Sequence, residues 1–165
     1  MKLSDSLYVP ASVDEVVHVL LSAEYHLEVE RQPRAAGIYG FYERERSADH
    51  RSFEVRHLEH GARQLDRGHR ARRVVSVKRF RYDAADQTLS WAHAGQGDRY
   101  LAVRGRFQLT AEGDGTRVRV AVEIRAQASR LGHAHGRLAL KRLRHHLPIM
   151  RRVLRARFAD APTAR

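Results

Sequence analysis

Two alternating stretches in the second half of the chain constrain its fold more than any other feature. Apolar and polar residues alternate over residues 100–109 and again over 117–125, with Asp114-Gly115 between the two stretches. Because successive side chains of a β-strand point to opposite faces, this pattern predicts an antiparallel hairpin with one apolar and one polar face. An apolar sheet face must be covered by another element. The chain must therefore supply a later element long enough to cover it.

The residues from 137 to 158 provide this cover if they form an α-helix. Helical spacing then places one apolar stripe towards the sheet, consisting of Gly136, Leu140, Leu143, Leu147, Met150, Leu154 and Phe158. The cations on the opposite side, which would stay in water, are Arg137, Lys141, Arg144, Arg152 and Arg155. Pro148 lies inside this pattern and removes the hydrogen bond to residue 144, so we expect the helix to kink or divide there.

The rest of the chain has an order of elements that can be followed from one end to the other. A short alternating strand, "SDSLYVP", leads to a helix that begins at the capping box of Ser12 and Glu15. A second short helix, "AEYHLEVER", is ended by Gln32-Pro33. Period-two patterns then predict six further strands: "GIYGFYERER", "SFEVRHLEH", "RRVVSVKRF", "TLSWAHA", "RYLAVRGRFQLTAE" and "TRVRVAVEIRA". We predict a single domain over residues 1–160 and a disordered tail at 161–165.

This order resembles that of the START, polyketide-cyclase and birch-pollen-allergen (SRPBCC) superfamily. The resemblance is carried by "SLYVPASVDEVVHVLL", by "TLSWAHAGQGDRYLAVRGRFQLTAEGDGTRVRVAVEI" and by the terminal helix. It implies an α+β helix-grip fold, in which a curved antiparallel sheet of about seven strands wraps around the long C-terminal helix. It also implies a cavity for lipids, sterols or polyketide-like molecules, which some members of the superfamily cyclise.

Strand parity indicates which side chains face such a cavity when the charged face is assigned to solvent. Trp91 and His93 then point inward, and so do Phe53 and His57. The strand "GIYGFYERER" leaves two alternatives, because either Tyr39 and Phe41 point inward with Glu43, or Ile38 and Tyr42 do so with Arg44. The predicted ligand-binding residues are Tyr39, Phe41, Phe53, His57, Trp91, His93, Val103, Leu147 and Met150. The alternative for Trp91 is plain core packing, and for each histidine a single internal hydrogen bond.

The charge of the chain is strongly uneven. The net charge is +12, and it divides into −4 over residues 1–60 and +16 over residues 61–165. One interpretation is peripheral contact with an anionic membrane through Arg137, Lys141, Arg144, Arg152 and Arg155. Another is a coding bias, since Arg outnumbers Lys 28 to 3. Nucleic-acid binding is the less favoured interpretation, because the basic segments lack interleaved aromatic residues and any helix-turn-helix pattern.

Several kinds of site are not indicated. The chain has no cysteine, so it has no disulfide, thiol nucleophile or thiolate metal ligand. The pairs His133/His135 and His145/His146 do not converge on a helix, and no metal site or other cofactor is predicted. No apolar run approaches the roughly 20 residues of a spanning helix, and no leader precedes "MKLSDSLYVP", so we expect a soluble, cytoplasmic protein.

These observations leave three functional hypotheses. The first is non-catalytic binding or transport of a hydrophobic small molecule in an internal cavity. The second is a cyclase, aromatase or dehydratase that works in the same cavity. Its acid or base would be a histidine or a carboxylate such as Glu43, Glu45 or Glu54, although carboxylates on neighbouring strands are more often surface charges. The third is nucleic-acid binding through the arginine-rich surface.

Overall fold

The structure, a computed structural model, describes residues 1–31, 38–47, 49–60, 72–95 and 101–159 of the chain. Its elements are β1 (Lys2–Val9), α1 (Val13–Leu20), α2 (Ala23–Arg31), β2 (Ile38–Arg46), β3 (His50–His60), β4 (Arg72–Asp83), β5 (Thr88–Gly95), β6 (Leu101–Glu112), β7 (Gly115–Ala126) and α3 (Arg130–Ala159). This order confirms the sequence prediction. The predicted break at Gln32-Pro33, the strand residues Arg99 and Tyr100, and the tail at 161–165 lie outside the described residues.

All seven strands form one curved antiparallel sheet in the order β1-β7-β6-β5-β4-β3-β2. The predicted hairpin is its best-paired part: β6 and β7 are in register from Leu101 opposite Ala126 to Glu112 opposite Gly115. Gly113, in the turn, has a φ of +60°, a conformation that glycine adopts without steric cost. The concave face of the sheet receives the apolar side chains of β6 and β7, as the alternation predicts.

The two short helices are fixed to the sheet by local contacts that the sequence encodes. The backbone N–H of Glu15 donates to the Ser12 hydroxyl, and the Glu15 carboxylate accepts from the Ser12 backbone, so the capping box is complete. Val16 and Leu20 then point into the core. The buried hydroxyl of Thr116 donates to the carbonyl of Ala11 over 2.7 Å and ties the entry of α1 to β7.

Helix α3 covers the concave face, as the apolar stripe predicts. Leu147 and Leu154 are buried, and Leu140, Leu143, Met150 and Phe158 are partly buried against the core. The helix begins earlier than the predicted stretch, at Arg130, because Gly132 allows it to pack closely on the backbone of Gln127. Pro148 does not divide α3. Both Pro148 and Arg144 are exposed, so water can hydrogen-bond to the Arg144 carbonyl that lacks its helical donor.

The strand ends along one side of the sheet lie beside the beginning of α3, and we call this row of strand ends the upper edge. It contains the first residues of β2, β4 and β6 and the last residues of β3, β5 and β7, because neighbouring strands run in opposite directions. Tyr39, His57, His93 and Val103 lie near this edge. The aromatic residues lower on the same strands lie deeper in the core.

Candidate ligand-binding site

Four aromatic side chains form a continuous floor on the concave face. Phe53 stacks on Phe80 with ring centroids 4.7 Å apart and an interplanar angle of 8°, and Phe41 stacks on Phe53, also at 4.7 Å. Trp91 follows Phe80 at 6.5 Å. Its indole lies directly over Gly105 of β6, where a Cβ would come within 2.4 Å of the ring. The Phe41 contacts settle the two alternatives for β2 in favour of the parity that turns Tyr39 and Phe41 inward.

Two buried polar atoms have no hydrogen-bond partner among the described residues. They are the hydroxyl of Tyr25, on α2, and Nε1 of Trp91, in the floor. Buried polar groups are nearly always hydrogen-bonded, so each such atom costs about 1 to 3 kcal/mol if nothing binds it. Burial and the nearby Glu30 carboxylate raise the pKa of Tyr25, which therefore remains a neutral hydroxyl that can donate a hydrogen bond.

One cavity enclosed under α3 is small. The described residues leave a cavity of about 10 Å³, roughly the volume that one water molecule needs. Tyr25, Leu147 and Met150 are among the residues that line it. The remaining lining residues are Asp5, Ser6, Leu7, Phe107, Val118, Val120 and Arg151. Leu147 and Met150, two predicted ligand contacts, thus adjoin this cavity.

A cluster of three ionisable side chains joins α2, β4 and α3 beside the floor; we call it the ionic cluster. The Lys78 ammonium donates to the Glu30 carboxylate, and Nε2 of His146 lies 3.7 Å from the same carboxylate oxygen. The three side chains are only 13% (Glu30), 15% (His146) and 23% (Lys78) exposed. Lys78 belongs to the inward-facing set of β4 together with Phe80, which explains why a lysine faces the interior here.

The environment of the ionic cluster sets its protonation. Burial alone would raise the pKa of Glu30, but Lys78 and His146 outweigh it and hold the pKa below its ordinary value, so Glu30 is ionised near pH 7. Burial, assisted by the Lys78 charge, lowers the pKa of His146 to about 4 against the opposing effect of Glu30. His146 is therefore a neutral imidazole beside an ion pair near pH 7.

His26 is a second buried histidine, on the inner side of α2. Its Nε2–H donates to the carbonyl of Leu20 over 2.8 Å, and its ring lies 4.5 Å from that of Phe80 and 4.9 Å from that of Phe53. Burial lowers its pKa to about 4, so it also stays neutral near pH 7. His26 thus fastens α1, α2 and the aromatic floor together.

The predicted site residues fall into three groups. Phe53, Trp91 and Val103 are buried in the core, and Phe41 is partly buried against it. Tyr39 stacks on His57 with a centroid distance of 4.8 Å near the upper edge. The side chains of Tyr39, His57 and His93 are all half-buried. His93 also makes a polar, aromatic or electrostatic contact with another residue. Leu147 and Met150 adjoin the cavity under α3. The sequence prediction missed Tyr25, His26, Glu30, Lys78 and His146.

The three carboxylates considered as an acid or base are held by arginines or exposed to solvent. Glu54 is on the outer face of the sheet, where it pairs with Arg44 at 3.0 Å, Arg56 at 2.8 Å and Arg79 at 3.3 Å. Glu43 is exposed and pairs with Arg51, beside an irregularity in the β2–β3 register between Glu43 and Glu45. Glu45 is exposed as well.

The described ranges contain neither a group of metal ligands nor a helix that could span a membrane. In residues 1–31, 38–47, 49–60, 72–95 and 101–159, no three His, Cys, Asp or Glu side chains are grouped so that they could hold a metal ion. Over the same residues, no helix combines the length and the apolar character that crossing a bilayer requires. The five cations predicted to stay in water on α3 are all exposed.

Comparisons with known proteins identify relatives by structure only. No family model matches the sequence, and no curated protein matches it. The Zhui aromatase/cyclase from Streptomyces sp. R1128 has a TM-score of 0.63 at 11% identity, covering 95% of this chain and 92% of that one. A START superfamily protein from Mycobacterium smegmatis has a TM-score of 0.52 at 18% identity, covering 95% and 96%. Ara h 8.0201 has a TM-score of 0.53 at 16% identity, covering 93% and 97%.

These similarities extend over nearly the whole chain and agree with the observed order of elements. At this level of identity they establish the fold and leave the ligand and the reaction undetermined. The seven-stranded antiparallel sheet, the two short helices after β1 and the long C-terminal helix identify the chain as a protein with the helix-grip fold of START-type proteins and polyketide cyclases.

Proposed function

We propose that the protein binds an apolar small molecule that carries at least one polar oxygen group, between the aromatic floor and α3. The observation that supports this most is the ionic cluster of Glu30, Lys78 and His146 beside the aromatic floor. Ligand sites typically combine an apolar lining with a few convergent polar groups. Burying an ion pair seldom stabilises a protein more than apolar packing would, so stability alone is a weak reason for this cluster.

The polar groups available indicate which ligand atoms would be recognised. Lys78 can donate to an oxygen, and the unpartnered Tyr25 hydroxyl and Trp91 Nε1–H are further donors. Glu30 can accept from a hydroxyl. A ligand with ketone, hydroxyl or carboxylate oxygens on an apolar framework would satisfy these groups, whereas a pure hydrocarbon would leave them unpaired.

Because the cavity is small, side chains of α3 must move to admit a ligand. Binding sites for drug-sized molecules have volumes of about 300 Å³ or more. The side chains next to the existing 10 Å³ cavity include Met150, whose unbranched thioether adapts its conformation easily. We therefore expect ligand binding to displace the α3 side chains beside this cavity, such as Leu147 and Met150, and to slow amide exchange in α3 once the complex has formed.

Native mass spectrometry of the purified protein, followed by organic extraction, would test this proposal. We expect a co-purifying small molecule with an apolar framework and at least one oxygen group. Titration with a fluorescent fatty acid should in addition quench the emission of Trp91, the only tryptophan in the chain. The absence of any bound molecule together with unchanged Trp91 emission would contradict the proposal.

Two variants on one strand distinguish ligand recognition by Lys78 from a general effect of positive charge on binding. Lys78→Met removes a cation from the inner face of β4, and Arg81→Met removes one from the exposed outer face of the same strand. We expect the first to weaken fatty-acid binding about tenfold and the second to leave it unchanged. Glu30→Gln/Lys78→Met, which leaves neither charge unpaired, serves as a second variant if Lys78→Met does not fold. Equal effects of the Lys78 and Arg81 substitutions would contradict a role for the ionic cluster.

Catalysis is a second candidate, favoured by the position of the His146 imidazole and the Lys78 ammonium beside the same carboxylate. Lys78 could polarise a ketone oxygen while His146 takes a proton from the neighbouring carbon. The resulting enolate carbon would attack a second ketone of the same molecule, and the alkoxide formed there would take the proton back from His146, which completes an intramolecular aldol cyclisation. Incubation with a synthetic poly-β-ketone thioester would test it. Formation of an aromatic product faster than the spontaneous rate, abolished by His146→Gln, would support catalysis. Identical rates with and without the protein would exclude it for that substrate.

A further inference from the structure

Helix α3 has an unusual outward face. The helix contains nine Lys or Arg residues and no Asp or Glu. Among the described residues, Arg151 makes an ion pair with Asp5 at 3.3 Å and Arg157 with Glu28 at 2.5 Å. The cations near the start of the helix are exposed and have no ion-pair partner among the described residues; they are Arg130, Arg137, Lys141 and Arg142.

Two leucines lie among these cations although the packing of the fold does not require them there. The side chains of Leu131 and Leu138 are 57% and 47% exposed, and the other exposed large hydrophobic residues in the described part of the chain are Met1 and Tyr42. The leucines are seven residues apart, so they share one face of the helix about 10.5 Å from each other. We name the group of Arg130, Leu131, Arg137, Leu138, Lys141 and Arg142 the α3 patch.

Single exposed leucines are common on protein surfaces, but the combination in the α3 patch is specific. Two aligned apolar side chains gain by leaving water, and the four cations around them gain by meeting anions. The boundary between headgroups and acyl chains of an anionic bilayer offers both environments within a few ångströms. We propose that the α3 patch docks the protein on an anionic membrane surface, with Leu131 and Leu138 inserted and the cations at the level of the headgroups.

The rest of the basic surface strengthens this assignment by contrast. The outer face of the sheet carries the exposed arginines Arg81, Arg104, Arg106 and Arg119. Among the side chains that the structure describes, these arginines have no ion-pair partner, and the same strands have no exposed large hydrophobic residue. A partner that only presents phosphates, such as a nucleic-acid backbone, would find equivalent charge there. The leucines distinguish the α3 patch, and they favour a partner with an apolar layer.

The position of the α3 patch relates membrane docking to the proposed ligand-binding site. Gly136, in the middle of the patch sequence, packs towards Ala126 at the upper edge of the sheet. Gly136 is on the side of α3 opposite Leu131 and Leu138, so docking would leave the helix between the bilayer and the β7 end of the upper edge. A ligand that is sparingly soluble in water could then be collected at the membrane surface on which the protein is held.

Vesicle co-sedimentation tests the proposal. Vesicles of phosphatidylcholine alone are compared with vesicles containing about 30 mol% phosphatidylglycerol, at about 0.15 M salt so that distant charges are screened. We expect binding that requires the anionic lipid, and a loss of about tenfold or more for Leu131→Ala/Leu138→Ala. Both leucines are exposed, so this variant should fold like the wild type, which circular dichroism would verify.

Charge-matched variants complete the experiment. Arg137→Gln/Lys141→Gln and Arg104→Gln/Arg106→Gln remove the same charge from the α3 patch and from the outer face of the sheet. We expect the first to reduce binding about tenfold and the second less than about threefold. The proposal is overturned if vesicles do not bind, if the leucine variant binds like the wild type, or if both charge variants lose binding equally. Tight binding of duplex RNA or DNA that depends on the α3 cations but not on the leucines would overturn it in favour of a nucleic-acid partner.

Discussion

At the scale of single residues, the outer face of the sheet contains an acid whose ionisation depends on the fold. Glu54 is buried among Arg44, Arg56 and Arg79. Burial alone would raise the pKa of Glu54, but the hydrogen bonds from these arginines outweigh it and lower the pKa to about 2. Such a carboxylate holds neighbouring strands together and is a poor proton donor or acceptor near pH 7.

This arrangement predicts a specific dependence of stability on pH. The folded pKa of Glu54 lies below the ordinary value of 4.5, so its contribution is complete above pH 4.5 and is lost as the pH falls towards 2. Glu54→Gln should lower the free energy of unfolding by about 2 kcal/mol at pH 7, a value reduced for the solvent exposure of the arginines. Urea unfolding of both proteins from pH 7 to pH 2 should show the difference vanish at the acid end; a constant difference would contradict the role of the charge.

A second residue-scale prediction concerns the contact between Trp91 and Gly105. A Cβ at Gly105 would lie 2.4 Å from the indole of Trp91, which is buried in the core. Gly105→Ala should therefore lower the free energy of unfolding by about 2 kcal/mol or more and shift the Trp91 emission. Gly113→Ala is the control, since its Cβ would meet no atom within 4 Å and only its φ of +60° is unfavourable, at about 1 kcal/mol. Emission unchanged in the Gly105 variant would show that the indole does not lie on this glycine.

Single residues also show what the sequence can predict and what it cannot. The inward direction of Phe53 and Trp91 follows from strand parity, because apolar side chains alternate with polar ones on those strands. The inward direction of Lys78 does not follow from parity, because a charged residue in a strand is normally assigned to the solvent-exposed face. Its partners are at positions 30 and 146. Nothing in the local pattern connects three residues that are so distant in sequence.

At the scale of elements, α3 was the most predictable part of the chain. Its apolar stripe has helical period, and only one face of the sheet required cover, so its location and its buried side follow from the sequence. The effect of Pro148 was harder to predict, because the cost of a proline inside a helix depends on whether water reaches the unpaired carbonyl. In α3 both Pro148 and Arg144 are on the wet side, and the helix continues.

The two sides of α3 should respond differently to the same substitution. Leu147 is 6% exposed against the core, whereas Leu138 is 47% exposed in the α3 patch. Leu147→Ala should lower the free energy of unfolding by about 2 to 5 kcal/mol, and Leu138→Ala by less than about 0.5 kcal/mol. Chemical denaturation of the two variants compares them directly. Similar values for both would mean that the buried and exposed sides of the helix are wrongly assigned.

At the scale of the whole molecule, the fold was predictable because most local signals agreed with it, Lys78 and Pro148 being exceptions. The capping box of α1, the alternation in the strands and the stripe of α3 all favour the same arrangement. The interior was less predictable. Whether a curved sheet and a helix leave a cavity depends on how large side chains such as Phe53, Phe80 and Trp91 interlock, which parity does not determine.

The same interior makes the stability of the whole molecule depend on two neutral histidines. His26 connects α1 and α2 to the floor, and His146 connects α3 to Glu30 and Lys78. Burial lowers both pKa values from 6.5 to about 4. The unfolded chain therefore binds more protons than the folded one between these values, and stability is complete above about pH 6.5 and falls as the pH decreases towards 4.

The size of this effect can be stated per proton and tested. Each histidine should contribute about 1.4 kcal/mol per pH unit to the slope of the unfolding free energy near pH 5, and the two together about twice that. His26→Gln retains a donor for the Leu20 carbonyl but does not titrate, so it should remove about half of the slope even if it lowers the stability at every pH. The carboxyl of Glu54 does not interfere, because its contribution changes only below pH 4.5. Urea unfolding of the wild type and the His26 variant at several pH values between 7 and 4.5 measures both slopes. Equal slopes in the two proteins would contradict the prediction. They would mean that His26 is already protonated in the folded protein or that water reaches it.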